Sequence, residues 1–251
     1  MTATRLFERA VVCLYPQDPE EDVREFLQGL VTNDVTGNLP VYAALLSAQG
    51  KAMFDFFVCE GGDPGDTSIW LDCEAGHADE LAKRLSLYRL RRKIDISVCC
   101  DCAVHWQANV PGDRVADPRM PQLGMRWFDT AKDTDEPADA AYLAHRLALG
   151  VPETHAELGD ILWLETNAVE LNGVSFEKGC YIGQENTARM NWRNKVNRRL
   201  VVVPLDDSNE SRRKAAYPEL GLAVDHLRVS DLDASALPDW QAAAITDAST
   251  D

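Results

Sequence analysis

The octapeptide KGCYIGQE at 178–185 gathers an amine, a thiol, an amide and a carboxylate, spaced by two glycines. Gly179 and Gly183 can take backbone angles closed to other residues and let a ligand or another strand approach closely. A helix starting near Gly183 and running through Gln184 and Arg189 would leave Cys180 just ahead of its N-terminus. Lys178 lies two residues away, and both features favour thiolate over thiol. A thiolate can attack, be oxidised, or donate to a soft metal. The same residues also suit a tight strand-to-helix turn in which Cys180 only fills space. Glu185 and Arg189 are four apart and can pair within the helix. Gln184 can bond a ligand or satisfy the turn, and Tyr181 can pack with its hydroxyl free to reach a partner.

A second cluster, CCDC at 99–102, contains a C-x-x-C. Its flanks alternate: Ile94, Ile96, Val98, Cys100, Cys102, Val104 and Trp106 fall on one face, and Asp95, Ser97, Cys99, Asp101 and His105 on the other. That pattern predicts one half-buried strand with Cys100 and Cys102 as small buried hydrophobes. Residues three apart in a strand point to opposite sides, and no second ligand pair completes four donors, so no metal site is expected. The seven cysteines are odd in number and scattered, as in a reducing compartment.

These groups sit in a chain of 251 residues with 45% hydrophobic residues and a net charge of -16. The size suits one large domain, or one domain and a smaller partner. An acidic surface repels phosphate backbones, which argues against broad nucleic-acid binding. Two basic islands stand out, YRLRRK at 88–93 and RMNWRNKVNRR at 189–199. They read either as solvated helix ends and a linker or as a local positive rim for a small anion. No apolar run reaches membrane-spanning length, and the N-terminus lacks a secretory pattern. A cytoplasmic protein, or one inside an organelle, is expected.

The elements that would position the signature follow from periodicity. Asp18, Pro19 and Glu21 predict a helix start with a capping box, and Val23, Phe26, Leu27 and Leu30 then face the core. The stretch 41–60 reads as two strands joined at Gln49-Gly50, with a turn at 61–66 and another strand at 68–73. A helix over 76–89 carries Leu81, Leu85 and Tyr88 on one stripe. The stretch 117–127 reads as a loop and then a strand, and a short helix over 140–149 is stopped by Gly150 and Pro152. Two further strands, at 198–205 and 220–229, suggest a small second β unit. The last residues, rich in Asp, Ala, Ser and Thr, read as a flexible tail. Helices alternating with strands, without strict βαβ order, favour an α+β fold with mainly antiparallel sheets.

The string KGCYIGQE resembles the signature of the YgfZ-like family of folate-binding, iron–sulfur cluster maintenance proteins. That family is related to the glycine cleavage T-protein, an aminomethyltransferase. FLQGLVTNDV, LLSAQGK, YRLRRKIDI, DPR with LGMR, and WLETNAVELNGVSFEKGC agree in order, so the resemblance covers roughly residues 5–230. It implies a T-protein-like folate-binding domain over 1–195, a truncated C-terminal β-barrel-like unit over 196–230, and a flexible tail over 231–251. Only about fifty residues follow Asn197, too few for a full barrel.

The resemblance also implies tetrahydrofolate or a one-carbon derivative as cofactor, and iron–sulfur proteins or their assembly machinery as partners. The location would be cytoplasmic, or the mitochondrial matrix in a eukaryote. A pterin edge presents donors that a buried carboxylate can accept, and Glu165, beside the apolar run 161–164, is the candidate. It reads otherwise as a surface glutamate on an edge strand. Asn33, Asp34, Tyr181, Gln184, Glu185 and Arg189 are further cofactor-binding candidates, with Tyr88, Arg89 and Arg119 as weaker ones. Cys180, Lys178 and Asp55 are the catalytic candidates. In the transferases two aspartates follow the strand turn. Here Phe54 takes the first position and only Asp55 remains, which puts aminomethyl transfer in doubt. The resemblance then implies an accessory role in iron–sulfur cluster assembly or repair, with a folate-dependent, aminomethyltransferase-like one-carbon transferase as the alternative.

Overall fold

The computed structural model describes residues 3–62, 65, 67–109, 114–193 and 196–247. Eleven strands are named among them: β1 (Arg5–Leu6), β2 (Arg9–Pro16), β3 (Val41–Leu46), β4 (Ala52–Glu60), β5 (Ile69–Glu74), β6 (Ile94–Val98), β7 (Cys102–Gln107), β8 (Met125–Thr130), β9 (Arg198–Pro204), β10 (Arg213–Tyr217) and β11 (Leu222–Arg228). The helices are α1 (Val23–Gln28), α2 (Ala78–Arg89), α3 (Asp139–Ala148), α4 (His155–Leu158), α5 (Gln184–Trp192) and α6 (Asp239–Asp247). The strands form a five-stranded sheet, β3-β4-β5-β2-β6, and two three-stranded sheets, β1-β7-β8 and β10-β11-β9. Every ladder between these strands is antiparallel. The architecture is α+β, as the mixed periodicities imply.

Both faces of the five-stranded sheet are covered. Ala43, Leu45, Phe56, Val58 and Leu71 pack beneath Phe26 and Leu27 of α1 and Leu81 and Leu85 of α2. Tyr42, Ala44, Leu46 and Phe57 face the other way, onto Trp163, Tyr181, Leu200 and Val224. Two-sided burial explains why 41–46 and 52–58 read as nearly unbroken apolar runs.

Several expectations change in the structure. The cap of α1 is Asp22, whose carboxylate accepts from the Glu25 amide, and not Asp18. Asp18 instead pairs with Lys93 at 2.7 Å, and Glu21 with Arg92, so these carboxylates are engaged by the first basic island. The single strand expected through 94–106 is broken. β6 pairs with β2, whereas β7 pairs with β1 and β8, and the chain bends at 99–101 to leave one sheet for another. The alternation does not survive the bend: β7 buries four consecutive residues, Ala103 to Trp106. Cys100, in the bend itself, is exposed and Cys102 only half-buried, where two buried residues were expected.

Downstream of Asn197, three strands make an open sheet, and β10 forms within the polar stretch 206–218. The boundary expected at 195/196 touches residues 194–195, outside the described residues, as do parts of the 61–66 turn and of the second basic island. The flexible tail expected over 231–251 is a docked segment as far as residue 247. Trp240 donates to the Leu149 carbonyl at 2.9 Å and Gln241 to that of Leu200 at 2.7 Å, while Ile245 is buried. Trp240, Gln241 and Ile245 give α6 an anchored face that composition hides. Residues 248–251 lie outside the described set.

Candidate functional site

The signature is fixed to the body at two points. Gly183, with φ +80°, caps α5, and a Cβ there would meet the Ser47 carbonyl oxygen at 2.5 Å and Gly50 Cα at 3.0 Å. Gly50 itself has φ +77°. The β3–β4 turn and the start of α5 thus touch backbone to backbone, which needs glycine on both sides. Asn186 adds a bond to the Gln49 carbonyl at 2.8 Å.

The second anchor is Lys178. Its Nζ donates to the carbonyls of Val31 and Asn33 at 2.6 and 2.9 Å and lies 5.3 Å from the Tyr181 ring centre. Burial lowers this amine's pKa to about 8, against a small opposing pull from Asp34. Tyr181 is buried beneath the turn, and burial pushes its hydroxyl above the usual range.

Between the two anchors Cys180 is exposed, three residues ahead of the Gly183 cap. Gln184 reaches back to the Gly179 carbonyl at 3.5 Å. Glu185 and Arg189 are both exposed, and among the described residues they form no ion pair with each other.

Other candidates fall at three places. Asn33 and Asp34 join the Lys178 anchor: Asn33 Nδ2 donates to the Tyr42 and Asn172 carbonyls at 2.9 and 2.7 Å. Asp34 accepts from Thr36 and Gln28, and these bonds, led by the Thr36 hydroxyl, hold its carboxyl below the ordinary range. Glu165 lies in a 3-10 turn, Trp163–Thr166, and not on a strand; its Oε2 is 2.9 Å from Nε2 of His226 on β11. Asp55 is buried on β4 and accepts from the Tyr42 hydroxyl at 3.2 Å. Burial raises its carboxyl to about 6, opposed chiefly by Arg9. In a small recess it meets Glu74, His77 and His155, whose imidazole rings lie 4.5 Å apart.

Sequence reading did not assemble a buried ion network. Arg9 binds Asp72 at 2.6 Å, Arg119 binds Asp117 and Glu153 at 2.7 Å each, and Arg126 binds Asp72 at 2.7 Å. The Tyr142 hydroxyl donates to Glu153. All three guanidinium groups lie over the Phe57 ring, within 5.6 Å of its centre. The network joins β2, β5, β8 and α3. Arg119, a weak candidate for the pocket wall, belongs to it. Charged residues inside strands that otherwise read as buried were the available signal.

Arg89 and Arg92 of the first basic island border a cleft of about 800 Å³ with Phe26, Leu30 and Tyr88. Arg92 is already paired with Glu21 and Glu25, and Arg89 with the Ile94 carbonyl, so only part of that charge faces a ligand.

No protein-family model matches the chain. It is 31% identical over 217 residues to the mitochondrial iron–sulfur cluster assembly factor IBA57 homolog of Neurospora crassa, covering 72% of this chain and 49% of that protein. The IBA57 protein of Mus musculus is 31% identical over 228 residues, covering 74% and 62% of the two chains. That of Homo sapiens is 30% identical over 221 residues, covering 72% and 61%. The chain thus spans about half to three-fifths of the curated relatives it matches. Among solved structures, the glycine cleavage system aminomethyltransferase T from Bartonella henselae superposes with a TM-score of 0.63, covering 90% of this chain and 78% of that one, at 12% identity. The shared fold is that of the T-protein.

Proposed function

This chain is a homologue of the IBA57-type iron–sulfur cluster assembly factors, in the YgfZ-like family, and from that premise we propose that it serves iron–sulfur cluster assembly or repair through Cys180. One observation carries the reading. Cys180 is a solvent-accessible thiol between two anchors, Gly183 against Gly50 and Lys178 against Val31 and Asn33. A thiol held on a fixed turn is a soft donor for iron in a cluster being handed on, and its position costs no ordering on contact. Partners on this reading are iron–sulfur proteins or their assembly machinery. The setting is a reducing one: the cytoplasm, or the mitochondrial matrix in a eukaryote.

Tetrahydrofolate is the proposed ligand. The fit is partial. Asn33 and Asp34 spend their side-chain groups on the protein itself, whereas Glu165 makes no hydrogen bond among the described residues: its Oε2 only approaches His226 Nε2, at 2.9 Å. Glu165 is therefore the residue proposed to accept from the pterin donors, with Gln184, Glu185 and Arg189 lining the approach along α5. A reduced folate supplies a one-carbon unit or a reducing pteridine when bound. On this reading the chain itself contributes an acceptor carboxylate at Glu165 and an accessible thiol at Cys180.

A one-carbon transferase is the second reading. Asp55 favours it, as a buried carboxyl that titrates near neutrality. Phe54 at the neighbouring position weighs against it, since phenyl can neither take a proton nor steady a cation.

Two measurements test the proposal. In cells lacking the endogenous factor, wild type should restore a [4Fe–4S]-dependent enzyme and Cys180→Ser should not; full rescue by the variant rejects the role of the thiol. Calorimetric titration with tetrahydrofolate should show binding weakened about tenfold in Glu165→Gln, the cost of one charge-assisted hydrogen bond. No binding to wild type removes folate from the reading, and turnover of a methylene-folate would favour the transferase.

A further inference from the structure

The bend at 99–101 does more than turn the chain. Cys99 donates its amide to the Val11 carbonyl at 2.8 Å, the last rung beside β2, and the chain re-enters a sheet at Cys102, opposite Thr130. The turn brings residues 99 and 102 to the same side: both pack on one apolar cluster, that of Val11, Cys13, Val104 and Trp106. A continuous strand would have set them on opposite faces. Cys13 belongs to that cluster and Tyr15 packs on it too; after burial, the nearness of Cys99 helps raise the thiols of both Cys13 and Cys102. Cys100 stands apart, exposed, with its sulfur 4.0 Å from the Val98 carbonyl. Among the described residues no group of three His, Cys, Asp or Glu is arranged to hold a metal ion.

We propose that Cys99 and Cys102 are a reversible dithiol–disulfide pair, oxidised by exchange with a small-molecule disulfide of the glutathione type and lying where the chain crosses between two sheets. The site is separate from the signature, and its chemistry does not depend on cluster handling or on folate.

The exchange balances in two steps. Cys99 loses its proton, and its sulfur attacks one sulfur of the small disulfide. That S–S bond breaks, and the leaving thiolate takes the electron pair and a proton. The Cys102 thiol then gives up its proton, and its sulfur attacks Cys99 in the mixed disulfide. The second small thiol leaves in the same way. Two protein thiols are oxidised and one disulfide is reduced to two thiols.

The roles follow from position. Burial pushes the thiols of Cys13 and Cys102 up to about 12, so both rest as thiols, and Cys102 suits the second, intramolecular attack, in which proximity replaces acidity. Cys13 is buried behind the pair and shielded from reagents in bulk solvent. Bridging ties the end of β6 to the start of β7 and so fixes the crossover between the five-stranded sheet and the β1-β7-β8 sheet.

The test uses the full chain. Wild-type protein is equilibrated in buffers of graded oxidised-to-reduced glutathione ratio, quenched in acid, alkylated, digested and mapped by mass. The expected result is joint loss of alkylation at Cys99 and Cys102 in one peptide lighter by two hydrogens, and the same loss in Cys100→Ser. Cys102→Ser should instead trap glutathione on Cys99. The proposal is overturned if both residues stay alkylated at the most oxidising ratio, or if the bridge joins Cys13 or Cys100. Mapping of wild type decides the matter even if a serine variant fails to fold.

Discussion

The amine of Lys178 lies 2.6 Å from the carbonyl oxygen of Val31, a bond between residues 147 positions apart in sequence. With the second bond to Asn33 it satisfies two acceptors just behind α1. Lys178→Met removes both donors and leaves the Val31 carbonyl, which is buried, unpaired. The expected loss is about 1–3 kcal/mol in urea unfolding at pH 7. The pH dependence has a definite sign. The folded amine titrates at about 8 and an ordinary lysine at 10.5. Between those values the unfolded chain holds more protons, so this group's contribution to stability is least below pH 8 and rises up to pH 10.5. Lys178→Met should flatten that rise; an unchanged slope would remove Lys178 as its source.

Gly183 and Gly179 flank the same cysteine but differ in what surrounds them. An added Cβ at Gly183 meets a backbone oxygen at 2.5 Å with φ at +80°, whereas at Gly179 it meets nothing within 4 Å. Gly183→Ala should lose at least about 2 kcal/mol, and Gly179→Ala should stay within about 0.5 kcal/mol of wild type. Thermal melting of the two variants side by side measures the difference. Equal melting points would show that the contact of Gly183 with Gly50 is not needed.

Asp55 has the opposite linkage to Lys178. Its carboxyl titrates at about 6 in the fold and at 3.8 ordinarily, so between those values the folded state holds more protons. Its contribution therefore declines as pH rises from about 4 to 6, by up to about 3 kcal/mol. Asp55→Asn keeps an acceptor for Tyr42 and carries no charge. It should be more stable than wild type at pH 7 and show no such decline. Denaturation at pH 4.5 and pH 7 separates the two proteins.

Glu153 accepts from Arg119 at 2.7 Å and from Arg9 at 3.3 Å, wholly inside the protein. Burial alone would raise its carboxyl, but these arginines, with Arg126 and Arg146, together hold it far below the usual range. Glu153→Ala leaves guanidinium charge buried without its partner and should cost about 3–5 kcal/mol. If Arg119→Met is then added to Glu153→Ala, part of the loss should return, because the stranded charge goes with it. A double variant no more stable than the single one would contradict that account.

Local pattern was enough for much of this protein. The helical spacing of Leu81 and Leu85 and the apolar runs at 41–46 and 52–58 depend on neighbours a few positions away, and α2, β3 and β4 formed where that spacing put them. The octapeptide with Cys180 could likewise be singled out, because its residue types and glycine spacing are contiguous. Other features had no local mark. Asp18 and Asp22 are equally able caps; Lys93, 75 residues from Asp18, engages one and leaves the other for α1. Alternation of residue types through 94–106 carries no mark of a change of partner strand, so the crossover at Cys99 was hidden. Glu165, in a turn, likewise carries no local mark of its neighbour His226, which sits on β11. Periodicity reports which side of an element is buried. Only the folded chain decides what that side is buried against, because pairing of charges, thiols and backbones depends on distances in space between residues far apart in sequence.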